Sequence, residues 1–146
     1  MDTKETQAFA QQLMKEVWES FDSEAVSRFF HRDVVGWHRR ANSSWQQLGY
    51  DDVINRLTWD KETNADPTFN VRYITAEEDR FALRFLCAAD FIPTGGKIDV
   101  EMMYFHQLRD DKVVEFGLLP QRRFRLQGIG HRRHTHEVTS LREHPF

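Results

Sequence analysis

The sequence predicts an α+β domain in which N-terminal helices pack on one face of a curved antiparallel sheet. Three observations carry this. Near the N-terminus Phe9, Leu13, Val17 and Phe21 recur every four residues, the spacing of one face of a helix. Two later runs, 80–92 and 98–108, alternate with the period of two that belongs to strands. The runs are separated by short polar turns, Ala76-Glu-Glu-Asp79, Pro93-Thr-Gly-Gly96 and Arg109 to Lys112, so successive strands meander. A chain of 146 residues is the size of one domain, read here as residues 1–127 followed by a basic, His-rich tail at 128–146.

Ala10, Met14 and Trp18 widen the first apolar stripe, giving an amphipathic helix over Thr3 to Phe21. Asp22 is placed to cap a short second helix, Ser23 to Phe30. Asp33 to His38 reads as a short strand, with Val35 and Trp37 on one face and Val34, Gly36 and His38 on the other. Residues 39–49 show no period and read as a loop around Trp45. A third helix spans Tyr50 to Trp59, with Asp51 and Asp52 in the first turn, where the helix dipole favours them. Asp66-Pro67 ends that region, and strands follow at Phe69 to Thr75 and Arg80 to Ile92. In the latter, Phe81, Leu83, Phe85, Cys87, Ala89 and Phe91 make one apolar face. From Ile98, the set Ile98, Val100, Met102, Tyr104, His106 and Leu108 shares a face, and Val113 to Leu119 returns as the second arm of a hairpin.

Composition excludes several classes. Apolar residues are 40% and aromatics 13%, enough for a packed core. Residues 121–146 carry six Arg against two Glu, a net of +4, which leaves the first 120 residues at −7 against the whole-chain −3. That body repels nucleic acid. A single cysteine, Cys87, rules out an internal disulfide and reads as an inert buried thiol. No apolar run nears the ~20 residues of a membrane helix, and the first residues lack a signal-peptide pattern, so a cytoplasmic protein with neither membrane nor nucleic-acid partner is expected. No phosphate-binding loop, dinucleotide fingerprint or zinc signature occurs, and no cofactor is expected.

The local motifs resemble a known family. PTGGKIDVEMMYFHQLRDDKVVE is similar to the PPTGK…DFYR.EDGKIVE segment of SnoaL-like polyketide cyclases, and FFHRDVVGWH to their first strand, F…DVV.H. These belong to the nuclear transport factor 2-like superfamily, and the resemblance, over about residues 8–121, implies a cone: three helices and a concave sheet enclosing an apolar pocket. It implies acid–base chemistry on polyketides, steroids or small ring compounds in some members, and binding or oligomerisation without catalysis in others. The aspartate that serves cyclases as base aligns with Gln121, which cannot take a proton. The usual Trp after the matched Glu is Gly117, which would widen the pocket. The DFYR aspartate falls on Tyr104, its tyrosine on His106, and His38 lies near the isomerases' basic carboxylate.

The candidate catalytic set is therefore Tyr104, His106 and His38: a phenol to donate to a developing enolate oxygen and imidazoles able to move a proton near neutral pH. Trp37, Tyr50, Phe85, Cys87, Met102, Gly117, Leu119 and Gln121 are the candidate ligand contacts. The expected ligand is a small apolar or aromatic carbonyl compound; the expected reaction class is lyase, isomerase or cyclase. The alternative is a non-catalytic binding or dimerisation module. Glu115 is either a buried carboxylate or a solvated strand-end residue. Asp99 and Glu101 fall opposite Tyr104 and read as solvated or facing a partner; with Met103 and Phe105 they make that face the expected homodimer surface. His131, His134 and His136 in the tail have spacing open to metal binding, but a flexible or partner-covering basic tail is the simpler reading, so no metal site is assigned.

Overall fold

A computed structural model of the chain describes residues 1–39, 44–120 and 125–127. Helix α1 (Thr3–Leu13) starts on a capping box: the Glu5 N–H donates to Asp2 Oδ1 at 2.8 Å, and the Asp2 N–H to Glu5 Oε2 at 3.2 Å. The apolar stripe runs on through Met14–Glu19 as a π-helical turn. Widening the helix there brings Val17 and Trp18 both into the core, next to Leu13 and Met14. Asp22 caps the next segment by accepting from the Glu24 N–H at 2.9 Å. That segment is a 3-10 turn, Ser23–Ala25, leading into a single α-turn, α2 (Val26–Phe29).

The first strand is longer than its sequence core, β1 (Phe30–Arg39). Its burial alternates as predicted, with Val34, Gly36 and His38 inside and Trp37 outside. The segment read as a loop contains a strand, β2 (Trp45–Leu48), paired antiparallel with β1. Four residues of mixed polarity give no period, and only the β1 edge makes them a strand. Helix α3 (Tyr50–Thr63) opens on Gly49, whose N–H donates to Asp52 Oδ2 at 2.7 Å. It extends one turn past Trp59 and passes directly into β3 (Asn64–Glu77). Asp66-Pro67 therefore does not end an element. It sits at a register shift between Ala65 and Thr68, with Asp66 at φ 49°, a bulge that tolerates a proline.

Strands β4 (Arg80–Phe91), β5 (Gly96–Arg109) and β6 (Lys112–Pro120) come next. The β5–β6 turn places Asp110 and Asp111 at φ 51° and 60°, the two left-handed residues a type I′ hairpin requires. The sheet order is β2-β1-β6-β5-β4-β3, and β7 (Arg125–Gln127) pairs with the start of β5. All pairings are antiparallel except β1 with β6, which is parallel. The result is an α+β cone of the nuclear transport factor 2-like kind, with helices against the inner sheet face. The tail, 128–146, with its three histidines, lies outside the described residues.

Two inward rows matter for the site. Leu83, Tyr104, Leu118 and His38 are register partners across β4, β5, β6 and β1; Phe81, His106, Phe116 and Gly36 form the next row. Gly36 has a packing reason to lack a side chain: a Cβ built there would lie 2.2 Å from the Phe116 ring, inside a row whose other rings are buried. Gly36→Ala is expected to cost about 1–3 kcal/mol, the overpacking range. Urea denaturation checks this, and a variant within about 0.5 kcal/mol of the parent, an ordinary surface effect, would contradict it.

Candidate functional site

Two hollows stand out among the described residues: one inside the cone, and a larger one that Trp37, Phe105 and Gly117 of the outer face line together with the edge of the Phe81, His106 and Phe116 row. The cone cavity, about 70 Å³, is enclosed by the π-turn, α3 and the inner faces of β3, β4 and β5. Its walls are aromatic and aliphatic: Trp18, Phe21, Trp59, Phe69, Phe85, Ile98, Val100 and Met102. Groups with polar atoms are set into them: Tyr104 and Cys87 on the sheet side, Arg56 and Asp60 with Asn64 on the helix side.

Tyr104 is held between Trp18 and Phe85, with edge-to-face contacts at 5.1 Å to each ring. Burial raises its pKa well above 10, with Arg56 pulling it down and Asp60 raising it further, so the phenol keeps its proton and is a donor. None of the described residues accepts a hydrogen bond from its hydroxyl. Cys87 faces the same space. Burial, then the nearby Asp60 carboxylate, pushes its thiol up to about 12, which makes it inert as a nucleophile.

The helix side escaped sequence reading. Arg56 and Asp60 stand at i and i+4 beside the apolar line Val53 and Leu57 and so share one side of α3, and Asn64, the residue that ends the helix and begins β3, continues that polar line. Arg56 Nε lies 3.1 Å from Asp60 Oδ2 and 3.0 Å from Oδ1. The Arg56 guanidinium stacks on the Trp59 ring 4.9 Å away. Asn64 Nδ2 donates to the Asp60 carbonyl at 3.0 Å and reaches Oδ1 at 3.5 Å. Burial raises the Asp60 pKa above its ordinary 3.8, with Arg56 acting in the opposite direction. An i, i+4 polar pair on a helix otherwise read for its apolar stripe, with Asn64 at its end, was the signal that could have found this cluster.

The other candidate residues lie elsewhere. His106 is fully buried but does not wall the cone cavity. Its ring stacks on Phe81 at 4.3 Å and 9° and lies 6.4 Å from Phe116. Neither ring nitrogen has a hydrogen-bond partner. Desolvation lowers its pKa to about 3, which keeps the ring neutral at any ordinary pH. His38 is buried two strands from Tyr104, roughly 10 Å at the usual strand spacing, and is not a wall of the cavity either. Tyr50 packs under the Arg32 guanidinium, 4.6 Å above its ring.

Trp37, Gly117 and Leu119 require a correction. Trp37 pairs with Gly117, Gly117 with Phe105, and Leu119 with Met103, so all three are on the outer face. The missing side chain of Gly117 enlarges the outer hollow, not the cone. Glu115 is exposed at that hollow's rim, which removes it as a buried carboxylate. Glu101 is also corrected: it is buried on the outer face and ion-paired with Arg84, the Arg84 Nε donating at 2.7 Å. Gln121 lies outside the described residues.

The outer hollow is larger, about 700 Å³. Three consecutive residues from each of β4, β5 and β6 make its floor (80–82, 105–107 and 115–117), and Trp37, Trp45, Thr75 and Glu77 stand around it. Trp37, Trp45 and Phe105 are 37%, 49% and 43% exposed, an apolar concentration unusual on a free surface.

A SnoaL-like domain model matches residues 10–116, from α1 into β6. The chain belongs to the SnoaL-like family. Among solved structures, AclR of Streptomyces galilaeus, a candidate hydroxylase, superposes with a TM-score of 0.70 at 21% identity, over 82% of this chain and 77% of that one. PrhC of Penicillium brasilianum gives 0.69 at 21% identity, over 82% and 83%. A candidate SnoaL-like polyketide cyclase from Jannaschia sp. gives 0.66 at 16%, over 82% and 87%. At these identities the likeness shows the fold alone. No curated protein matches the chain. Among the described residues of this SnoaL-like chain no three His, Cys, Asp or Glu side chains are grouped to hold a metal, and no helix is long and apolar enough to cross a membrane.

His106 generates a pH prediction. Below about 6.5 the unfolded chain takes a proton on this ring, whereas the folded chain refuses it until about 3. Its contribution to stability is thus present above pH 6.5 and is lost as pH falls, by about 1.4 kcal/mol per unit. Denaturation curves at about pH 5 and about pH 7 should show this loss. His106→Phe should flatten it and, by removing two unpartnered polar atoms, raise neutral-pH stability by about 1 kcal/mol.

Proposed function

We propose that this SnoaL-like chain binds a small apolar or aromatic carbonyl compound in the cone cavity and acts on it by acid–base chemistry of the lyase, isomerase or cyclase kind. The observation that carries this is the Tyr104 hydroxyl: a protonated donor in an aromatic chamber with no protein acceptor among the described residues. A hydroxyl that opens on the cavity without a protein acceptor is free to donate to a ligand carbonyl, and that hydrogen bond strengthens as the oxygen gains charge. Phe85, Cys87 and Met102 are the sheet-side contacts of this reading, and Trp18 and Trp59 the helix-side ones. His38 and His106 have no part in it, because neither walls the cavity. The volume limits the ligand: 70 Å³ is about half of the ~150 Å³ cavity that holds benzene, so a single small ring enters only with movement of the cavity wall, and a fused polycycle is excluded. The reading places the protein in the cytoplasm, with residues 1–127 as the working domain and 128–146 as a tail.

A second reading, favoured by the outer hollow, is a dimerisation module in which a second copy covers Trp37, Trp45 and Phe105. The two are compatible, since they use opposite faces of one sheet. A homodimer through this face is part of the proposal.

Ligand-detected NMR with cyclopentanone tests the cavity. Binding should be lost or weakened about five-fold or more in Tyr104→Phe, the loss of one hydrogen bond of about 1 kcal/mol, while the fold is retained. Equal binding by both proteins would sink the assignment of Tyr104. Sedimentation equilibrium tests the outer face: the parent should be a dimer and Phe105→Arg a monomer, and a monomeric parent would end that part of the reading.

A further inference from the structure

We propose that Asp60, on α3, is the base of the cone cavity and removes a proton from the carbon next to the carbonyl of a bound ketone. The inference rests on the ligand reading above and adds to it the group that moves the proton. Asp60 is the one carboxylate among the described residues that walls this cavity, and it stands on the helix side while Tyr104 stands on the sheet side. A ketone between them would present its oxygen to the phenol and its α-carbon toward the carboxylate, the separation of roles that enolisation requires.

The surroundings suit a base. Asp60 lies in the last turn of α3, where the helix dipole disfavours an anion, and apolar walls deny it water. Arg56 offsets part of both effects, with Nε about equidistant from the two carboxylate oxygens at 3.0 and 3.1 Å, and its charge favours the ionised form. Asn64 fixes the turn by bonding the Asp60 carbonyl. The other titratable groups on the cavity wall are Cys87 from β4 and Tyr104 from β5, both neutral, so the Arg56–Asp60 pair is the only charge in the chamber among the described residues. Arg56 is a positioning residue here: it sets where and in what state the carboxylate stands, and a neutral ligand meets a chamber of no net charge.

The step balances within the protein and ligand. An α C–H bond breaks, the proton passes to an Asp60 oxygen, and the electron pair forms the enolate C=C. The displaced carbonyl pair rests on the oxygen that Tyr104 holds by its hydrogen bond. Return of a proton to the same carbon after the Asp60 proton has swapped with solvent gives exchange, and with an unsaturated ketone return to a different carbon of the dienolate gives an isomer.

Cyclopentanone in D₂O reports the step, since every abstraction followed by exchange of the Asp60 proton with solvent returns deuterium to the α-carbon. The parent protein should accelerate α-deuteration above buffer, and Asp60→Asn should lose this by about 100-fold or more, the scale of general-base catalysis, while still binding cyclopentanone in ligand-detected NMR. Exchange by the parent should rise with pH through a single ionisation above 3.8 and then level off, and Arg56→Gln should move that midpoint upward, which a merely structural role would not do. Binding with deuteration unchanged in Asp60→Asn overturns the assignment of Asp60 and leaves the ligand reading standing. Failure of the parent to bind cyclopentanone overturns both. Should Asp60→Asn not fold, the parent's pH profile decides alone: a rate independent of pH across the acid range overturns the proposal.

Discussion

Strands β4 and β5 pair without a register shift from Arg80 opposite Gln107 to Phe91 opposite Gly96, and every inward side chain of the sheet takes its phase from that pairing. Because side chains alternate, a slip of one residue would turn Phe81, Leu83, Phe85 and Cys87 out and Arg80, Ala82, Arg84 and Asp90 in. The apolar set on one strand and the Ile98-to-Leu108 set on the other make that slip prohibitively unfavourable. The neighbouring pairings are less regular. β3 shifts twice against β4, β6 once against β5, and β1 once against β6, which lets the sheet bend around the helices. A rigid centre with yielding flanks is what allows one wall of the cavity to be placed by strand geometry while the other is delivered by helices.

Within that frame, neighbouring inward positions on one strand have opposite chemistry. Tyr104 and His106 are two residues apart and both buried, yet only Tyr104 opens on the cavity. The difference comes from what sits over each. Trp18, brought in by the π-turn, meets Tyr104 at its ring edge and leaves space for the hydroxyl. His106 is sandwiched between Phe81 and Phe116, and Phe116 itself lies over the backbone of Gly36. Closing the cone at that end takes flat rings in a stack, and an imidazole there serves as a ring rather than as a base.

Much of the fold was legible because alternation and helical period are properties of the local chain. The three helices, the succession of long strands and the inward set on β4 and β5 come from residue spacing alone. The features that escaped depend on pairing partners. Trp45 to Leu48 is a strand only because β1 offers an edge, and the outward direction of Gly117 and Leu119 is set by the register of β6 against β5. The site was legible on its sheet side, at Tyr104, Phe85, Cys87 and Met102, which share one alternating face. Its helix side was missed because α3 was read for the residues it buries in the core, and Arg56, Asp60 and Asn64 lie beside that stripe. His106 drew attention for the pKa of imidazole in water, a property that desolvation cancels in its ring.

The same desolvation acts in opposite senses on the two sides of the chamber, and this gives the cavity its character. It keeps Tyr104 and Cys87 neutral, because nothing close by compensates the charge either would acquire. At Asp60 it meets a guanidinium on the same helix, four residues away, so the carboxylate can remain ionised while holding its proton affinity above that of a solvated aspartate. An acceptor of raised basicity facing a donor that cannot ionise is the minimum a protein needs to move a proton off carbon without leaving a charge unmatched. Sheet register supplies the donor and helical spacing supplies the acceptor. Where the helix meets the sheet decides whether they act on one ligand.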